Sequence, residues 1–142
     1  NYYRNSQQVK IHGIELKTNW HISQQWSSTL GFQWQKAVDN NSNVVDDALP
    51  NAIKWALQWQ SNRFTWRQQL NYQLSEQDVG PSEMAQDNSL VWHSSIDYKV
   101  STKISLNLSM YNVTDNLYHL SRDRNSPYQA KRRIKLTTRW VF

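Results

Sequence analysis

The chain has 142 residues, a formal net charge of +5 and a mean hydropathy of −0.84. It contains no cysteine, which excludes disulfides, thiolate chemistry and cysteine-based zinc sites. No run in the sequence approaches the roughly 20 apolar residues of a membrane-spanning helix. A transmembrane strand needs only about 10 residues, half of them apolar, so the low hydropathy does not exclude a membrane protein.

Seven segments alternate between largely apolar and polar side chains, which is the period of a β-strand with one apolar face. No charged residue falls on the apolar face of any segment, and all eight tryptophans lie on it. This sorting predicts an all-β, antiparallel sheet with lipid on one side and a water-filled or protein-filled interior on the other. The segments are Ile14–Ile22, Trp26–Trp34, Ile53–Trp59, Phe64–Leu74, Leu90–Val100, Ile104–Met110 and Ile134–Phe142.

The connections between these segments alternate between short and long. Tight hairpin turns at one end and polar loops at the other are typical of an outer-membrane barrel, with the turns periplasmic and the loops outside. The short connections are Ser23–Gln25, Gln60–Arg63 and Ser101–Lys103, and the long ones are Lys36–Asn51, Ser75–Asn88 and Tyr111–Arg133.

Aromatic residues of the apolar face fall into two bands, one near the short turns and one toward the long loops. Aliphatic residues separate the bands, as expected for a wall that crosses two membrane interfaces. The predicted membrane-girdle residues are Trp20, Trp26, Trp34, Trp55, Trp59, Trp66, Trp92, Trp140 and Phe142.

Seven strands are too few to close a bacterial barrel, whose strand number is even and whose two ends are both periplasmic. An open sheet edge in lipid would leave backbone groups unpaired, at a cost of several kcal/mol each. We therefore expect the sequence to be a piece of a larger transmembrane barrel.

Three stretches carry a family resemblance. Residues 10–16, KIHGIEL, are similar to an R-x-x-G-x-E strand entry, and residues 112–118, NVTDNLY, are similar to an N-L-F-D-x-x-Y motif. The last predicted strand ends in Phe142, as in barrels that the outer-membrane assembly machinery recognises. In this order, the three stretches resemble the C-terminal part of the barrel domain of TonB-dependent outer-membrane receptors. Val113 and Thr114 depart from the motif, where Leu and Phe are usual.

The resemblance implies a barrel of about 22 strands, plugged by an N-terminal domain. Residues 1–142 would be a C-terminal portion of that barrel domain, without the plug and the earlier strands. The implied protein is a multi-pass receptor of the bacterial outer membrane that imports a scarce ligand, most often a ferric siderophore. Its partners would be the plug and remaining strands of the same receptor, the TonB energy-coupling system, outer-membrane lipid and lipopolysaccharide, and the ferric chelate. The resemblance implies neither a cofactor nor catalytic residues.

Charged residues on the polar face allow two interpretations. A positive interior would attract anionic ligands, whereas structural pairing with acidic groups of a plug or of other strands would serve stability. The second interpretation is the more common role of such charges. The predicted lumenal charged residues are Glu15, Lys17, Lys54, Arg67, Asp97, Lys99, Lys135 and Arg139.

Aromatic and cationic residues of the outer segments are the candidates for ligand contact, since Arg and Tyr suit anionic, aromatic-rich chelates through charge and stacking. The alternative is ordinary loop solvation, which is the usual role of such residues. The candidates are Tyr2, Tyr3, Arg4, His119, Arg122, Arg124 and Tyr128.

Other chemistry-bearing residues do not form a recognisable site in the sequence. His12, His21, His93 and His119 lack the converging second ligand that a metal or haem site needs, so no metal site is predicted. The Asp39–Asn43 loop lacks the Gly and Glu of an EF-hand. We expect the basic run Lys131–Arg133 to meet phosphates of the outer leaflet rather than nucleic acid.

Two other classes of protein remain open from the residues alone. A passive porin or an outer-membrane enzyme would also have a polar barrel interior, and a soluble β-sandwich binding module would also alternate along its strands. A plug before the first strand would favour a receptor, while quenching of tryptophan fluorescence by brominated lipid would exclude the soluble module.

Overall fold

A computed structural model of the protein describes residues 8–46 and 49–142. These residues form one sheet of seven antiparallel strands in which each strand pairs with its neighbours in sequence. Within that part of the chain, no helix is long and apolar enough to cross a membrane. The strands are β1 (Lys10–His21), β2 (Trp26–Val38), β3 (Ala52–Gln60), β4 (Phe64–Gln73), β5 (Ser89–Lys99), β6 (Ile104–Tyr111) and β7 (Arg133–Trp140).

The prediction of an all-β, antiparallel, seven-stranded sheet is confirmed. The strands differ from the prediction mainly at the long-loop end, where β1 starts at Lys10 and β2 continues to Val38. Their pairing runs without interruption from Lys10↔Val38 to His21↔Ser27. Backbone pairing does not require an apolar face, so the ladder extends beyond the residues whose polarity alternates.

The register aligns one apolar face across all seven strands. Trp26, Trp59 and Trp66 are direct neighbours in one row, and Leu30, Trp55 and Leu70 lie in another. Because residues that oppose each other in a ladder point to the same side, this apolar face is continuous, and the opposite polar face is continuous too. Among the described residues, the only buried apolar side chains are Ala37, Ala52 and Val91, so the sheet does not enclose a soluble-type core.

The three short turns share one hydrogen-bond pattern, in which a serine hydroxyl accepts from backbone N–H groups within the turn. Ser23 Oγ accepts from Gln25 and Trp26, each at 3.2 Å. Ser61 Oγ accepts from Phe64 at 3.2 Å, and the hydroxyl of Ser101 plays the same part before β6, at 3.1 Å from Ile104 N. Serine satisfies the turn backbone locally, which fixes each hairpin without glycine.

Asn112 explains the motif that follows β6. It has a φ of 52° and is 2% exposed. Its side-chain N–H groups donate to Asn116 O at 2.9 Å and Ala130 O at 3.2 Å, and its Oδ1 accepts from Asn116 N at 3.2 Å. Asn tolerates the left-handed region and can bond the backbone on both sides. This residue therefore joins the start and the end of the last long loop.

Candidate functional site

Three long loops gather at one end of the sheet: loop A is residues 39–51, loop B residues 74–88 and loop C residues 112–132. Loops B and C pair through their backbones. Met84 N donates to Arg122 O at 2.8 Å, and Glu83 forms an antiparallel bridge with Asp123. The Arg124 Nε–H group adds a bond to Glu83 O at 3.1 Å. The two loops therefore form a single packed layer.

The guanidinium of Arg122 is the centre of that layer. Its Nη1 lies 2.6 Å from Glu76 Oε2, and its Nη2 lies 3.3 Å from Glu83 Oε1. The Arg122 side chain is only 3% exposed, and those of Glu76 and Glu83 are 15% and 6% exposed. One cation thus holds two carboxylates of loop B in a setting largely shielded from water.

Burial has the largest influence on the pKa of Glu76. Removal of the carboxylate from water raises its pKa above the ordinary value, and the attraction and hydrogen bond of Arg122 oppose this only in part. The proximity of Glu83 acts in the same direction as burial. The ionised form of Glu76 therefore depends on the Arg122 cation.

Loop A joins the layer at two points. Asn51 Nδ2 donates to Glu76 Oε1 at 2.8 Å, while Asn51 Oδ1 accepts from Gln35 N at 2.7 Å. Gly80 of loop B lies so close to Asp46 that a Cβ on it would be 2.6 Å from the Asp46 backbone nitrogen and nearer still to its carboxylate. Only glycine permits this approach, so loops A and B are in direct contact.

A cavity of about 420 Å³ lies where loops A and C lean over the polar face of β3–β5. Tyr118, Leu120 and Leu49 cover it from the loop side, and Leu120 and Leu49 remain 65% and 55% exposed. The sheet side is rich in amide and other polar groups. It consists of Gln33, Ala52, Lys54, Gln69, Asn71, Gln73, Ser89, Val91 and His93, and Pro50 and Tyr72 complete the lining.

A second cavity of about 280 Å³ continues along the polar face toward β1. Gln33, Ala52, Lys54 and Gln69 line both cavities. The register places Lys17, Gly31 and Lys54 side by side. Because Gly31 has no side chain, an open notch remains between the two lysines.

The predicted charged residues of the polar face divide into one paired group and several unpaired ones. Arg67 forms an ion pair with Asp97 and also donates to Gln58 Oε1 at 3.0 Å. Asp97 in turn accepts from Asn107 Nδ2 at 2.8 Å. In the described part of the chain, no carboxylate lies within 4.0 Å of the remaining cations, namely Lys17, Lys54, Lys99, Lys135 and Arg139, and none of these cations pairs with Glu15.

The predicted ligand-contact residues of loop C have different environments. His119 and Tyr128 form an antiparallel bridge, and their rings lie 4.0 Å apart between centroids. Tyr128 is 64% exposed and Arg124 is exposed as well, whereas Arg122 is buried in its ion pairs. Any influence of Arg122 on a ligand would therefore pass through the loop layer. Tyr2, Tyr3 and Arg4 lie outside the described residues, and ligand contact stays a prediction for all seven.

Sequence reasoning missed Tyr118, Leu120 and the amide side chains that line the larger cavity. Tyr118 was visible in the NVTDNLY stretch, but only as part of a motif. Alternation places the amides of β4 on the polar face, but it does not show that loop C folds over them.

No group of three His, Asp or Glu side chains in the described residues is placed to hold a metal ion. In loop A, the Asp39 carboxylate is instead occupied by the loop itself, accepting from Asn41 N at 2.8 Å and Asn43 N at 2.9 Å. Hydrogen bonds from Asn43, mainly from its backbone N–H and next from its side chain, hold the pKa of Asp39 below its ordinary value. This carboxylate therefore closes a turn.

Two of the predicted girdle tryptophans bond to polar groups within the apolar face. Trp92 Nε1 donates to Gln68 Oε1 at 2.6 Å, and Trp55 Nε1 donates to Ser28 Oγ at 2.9 Å. Gln68 also donates to Ser94 Oγ at 2.7 Å and is only 5% exposed. These two indoles therefore satisfy Ser28 and Gln68, two polar side chains of this face.

Comparison with known proteins identifies the family. The model of the family described as "TonB dependent receptor-like, beta-barrel" matches residues 1–113. The chain belongs to this family. No curated protein matches the sequence.

Three solved structures have the same fold in the corresponding part of their chains. The copper transporter OprC aligns with a TM-score of 0.81 and 12% identity over 94% of this chain and 24% of its own. The ferric-catecholate import receptor Fiu of E. coli K12, in its closed form, aligns with a TM-score of 0.73 and 19% identity over 94% of this chain and 21% of its own. FpvA of P. aeruginosa, solved with bound heterologous pyoverdine, aligns with a TM-score of 0.75 and 16% identity over 93% of this chain and 19% of its own. This chain thus spans about a fifth to a quarter of the length of each of these proteins.

Proposed function

We propose that the chain forms part of the wall and outer vestibule of an outer-membrane receptor that imports a ferric siderophore, or a similar scarce chelate, with energy coupled through TonB. The observation that carries the proposal is the register that separates an uncharged apolar face from a polar face across all seven strands. Such a wall suits lipid on one side and a polar passage on the other.

The names of the structural neighbours support import as the activity and leave the cargo as our proposal. Fiu is named as a ferric-catecholate import receptor, FpvA was solved with pyoverdine and iron, and OprC is named as a copper transporter. Among the described residues, the polar face carries five cations with no carboxylate within 4.0 Å. This excess favours an anionic iron chelate over a free metal cation, because like charges repel a cation from such a passage.

The partners follow from the same proposal. A plug domain and further strands of the receptor would complete the barrel and face the polar side, and the TonB system would act on the plug. Lipid would cover the apolar face, and lipopolysaccharide phosphates would meet basic residues such as Lys131 at the loop end. None of these roles is catalytic, since the proposed work is done by the energy-coupling system.

Energy-dependent uptake tests the proposal. Cells that express the complete receptor should accumulate radiolabelled ferric chelate from the medium, and accumulation should stop when TonB is deleted or the proton gradient is collapsed. A passive porin would pass the chelate without either, so TonB-independent equilibration would refute the receptor assignment.

A separate measurement tests the membrane assignment. Reconstitution of the receptor in vesicles of brominated lipid should quench the fluorescence of tryptophans of the apolar face, such as Trp26 and Trp66. Unchanged fluorescence would exclude contact with lipid and would favour a soluble binding module.

A further inference from the structure

The apolar face of the sheet changes into a basic surface where β1 and β2 extend past their apolar residues. The ladder passes from the pair Ile14↔Trp34 to the pair His12↔Lys36, and Lys10 is the next residue on the same face of β1. Because paired residues point to the same side of a sheet, Lys10, His12 and Lys36 share the side that carries Trp34. These three residues form what we call the basic patch.

The basic patch lies at the height of lipid headgroups. The His12–Lys36 row is two residues beyond the predicted girdle residue Trp34, which is about 7 Å along the strand. The headgroup region of a bilayer adds about 5–8 Å to each side of the hydrocarbon core. With the apolar face in the membrane, the patch is therefore level with the phosphates of the outer leaflet.

The basic groups of the patch are open to an anion. Lys10 and His12 are exposed, and no carboxylate of the described residues lies within 4.0 Å of either side chain. Lys36 Nζ lies 3.3 Å from Asp78 Oδ2, but the two side chains are 53% and 75% exposed. An ion pair so open to water is weak, so a phosphate can compete with Asp78 for the Lys36 ammonium.

Apolar side chains lie directly below the patch and are equally accessible. Ile14, Leu16 and Trp34 are 55%, 62% and 40% exposed. A Cβ on Gly13 would lie 2.8 Å from Trp34 O, so glycine permits β1 and β2 to approach closely at this level. Basic groups above exposed apolar side chains match an amphipathic molecule with a phosphorylated head and acyl chains.

The other basic run near the loop end is engaged within the protein. Arg132 Nη2 lies 3.8 Å from the Asp115 carboxylate, and the Arg132 N–H donates to Asp115 Oδ1 at 2.8 Å. The guanidinium of Arg133 lies over the ring of Tyr111, at 4.9 Å from its centroid. Among the described residues, by contrast, only Lys36 of the basic patch lies within 4.0 Å of a carboxylate.

We propose that the basic patch is a binding site for lipopolysaccharide of the outer leaflet. Its lipid A phosphates meet Lys10, His12 and Lys36, and its acyl chains lie against the apolar residues below them. Lipid A carries two phosphates where a phospholipid carries one, and lysines in two successive rows of the ladder can meet them separately. This inference rests on the proposed placement of the apolar face in the outer membrane, and it adds a specific lipid site on β1 and β2.

Binding of three lipids to the complete receptor in detergent, followed by native mass spectrometry, tests the site. The probes are lipid A with both phosphates, dephosphorylated lipid A and phosphatidylglycerol. Lys10→Gln with Lys36→Gln should weaken binding of the diphosphorylated lipid roughly 30-fold, at about fivefold per lysine, and change that of the dephosphorylated lipid less than about twofold. The matched control is Lys99→Gln with Lys103→Gln, which removes two exposed lysines at the short-turn end and should weaken binding less than about threefold.

Two single variants test the role of the neighbouring charges. Asp78→Asn removes the carboxylate that competes for Lys36 and should strengthen binding of diphosphorylated lipid A about twofold or more. Arg132→Gln removes a cation near β7 that already has Asp115 as a partner, and it should weaken binding less than about threefold. Because Asp78→Asn leaves both lysines in place, it tests the site independently of the double variant.

Several results would overturn this inference. They are equal effects of the two double variants, a larger effect of Arg132→Gln, equal weakening of lipid A and phosphatidylglycerol, and no gain in Asp78→Asn. Any of these would exclude the site on β1 and β2 even if TonB-dependent uptake is retained. Absence of TonB-dependent uptake by the unmodified receptor would instead refute the proposed import function, even if lipid A binds as expected.

Discussion

Replacement of Arg122 by methionine should release the outer loops from one another. The substitution keeps much of the side-chain volume but removes the cation that holds Glu76 at 2.6 Å and Glu83 at 3.3 Å. Both carboxylates would remain in the packed layer, with Asn51 as a neutral partner of Glu76. The expected result is local opening of loops B and C while the seven-stranded sheet stays intact.

The size of the effect follows from the burial of the cluster. Breaking a buried ion pair by removing one partner costs about 3–5 kcal/mol. Glu76 keeps 15% exposure and its bond to Asn51, which places the expected cost near the lower limit, at about 3 kcal/mol. At about 1.36 kcal/mol per tenfold change, that is roughly a 150-fold increase in the population of the open loops.

Hydrogen exchange of the complete receptor measures this population. The most informative amide is Met84, whose N–H donates to Arg122 O at 2.8 Å. Its exchange rate should rise by about two orders of magnitude in Arg122→Met, while amides in the β3–β4 ladder should be unchanged. Arg124→Met is the matched control, because the Arg124 side chain is exposed and donates to a backbone oxygen, Glu83 O, rather than to a carboxylate.

The pH dependence gives a second check with a defined sign. In the native loops the pKa of Glu76 is already raised by burial, so its contribution to loop stability is largest at low pH and falls as pH rises through that raised pKa. Removing Arg122 takes away the main opposing influence and raises the pKa further. The excess exchange in Arg122→Met should therefore be greatest at neutral pH and diminish on acidification. Exchange that is equal in the Arg122 and Arg124 variants, or that is independent of pH, would refute this account of the cluster.

Three further substitutions test other parts of the fold. Asn112→Ala should lower the free energy of unfolding of the barrel, measured with urea in vesicles, by roughly 2–4 kcal/mol, because Ala tolerates the left-handed backbone poorly and cannot make the buried bonds to Asn116 and Ala130. A loss below about 1 kcal/mol would contradict the role given to this motif. Trp92→Phe leaves Gln68 Oε1 without its donor on the apolar face. It should lower the free energy of unfolding by about 1–3 kcal/mol in the same assay, clearly more than the control Trp34→Phe. Equal losses in the two variants would show that the indole bond does not stabilise the sheet. Gly80→Ala places a Cβ against Asp46. It should speed hydrogen exchange of the Ser82 amide, which donates to Asp46 Oδ1 at 2.9 Å. An unchanged exchange rate would mean that loops A and B adjust without separating.

The sequence predicted the sheet well because the pattern that defines each strand lies within a few neighbouring residues. Alternation along each strand is enough to sort Trp26, Trp59 and Trp66 onto one face, and the short connections between apolar segments mark the tight turns. The same local reasoning placed Trp55 and Trp92 on the correct face but treated them as interface residues alone. It could not show that their N–H groups satisfy Ser28 and Gln68, because that depends on which residues of neighbouring strands lie side by side.

For the candidate site, residue type and position within a loop were visible in the sequence, but the environment was not. Arg122, Arg124 and Tyr128 were equivalent candidates there, yet one of them is buried between two carboxylates from a loop some 40 residues earlier and the other two are exposed. Ion pairing over such a separation leaves no periodic signal in the chain.

The sequence by itself determined the strand pattern, the division into an apolar and a polar face, and the family, since each depends on short-range alternation or on a contiguous motif. Only the tertiary structure decided the position of Lys54 between two cavities, the notch at Gly31 and the locked layer of three loops. These features arise from register and loop packing, in which residues distant in the chain meet because backbone pairing and charge burial bring them together.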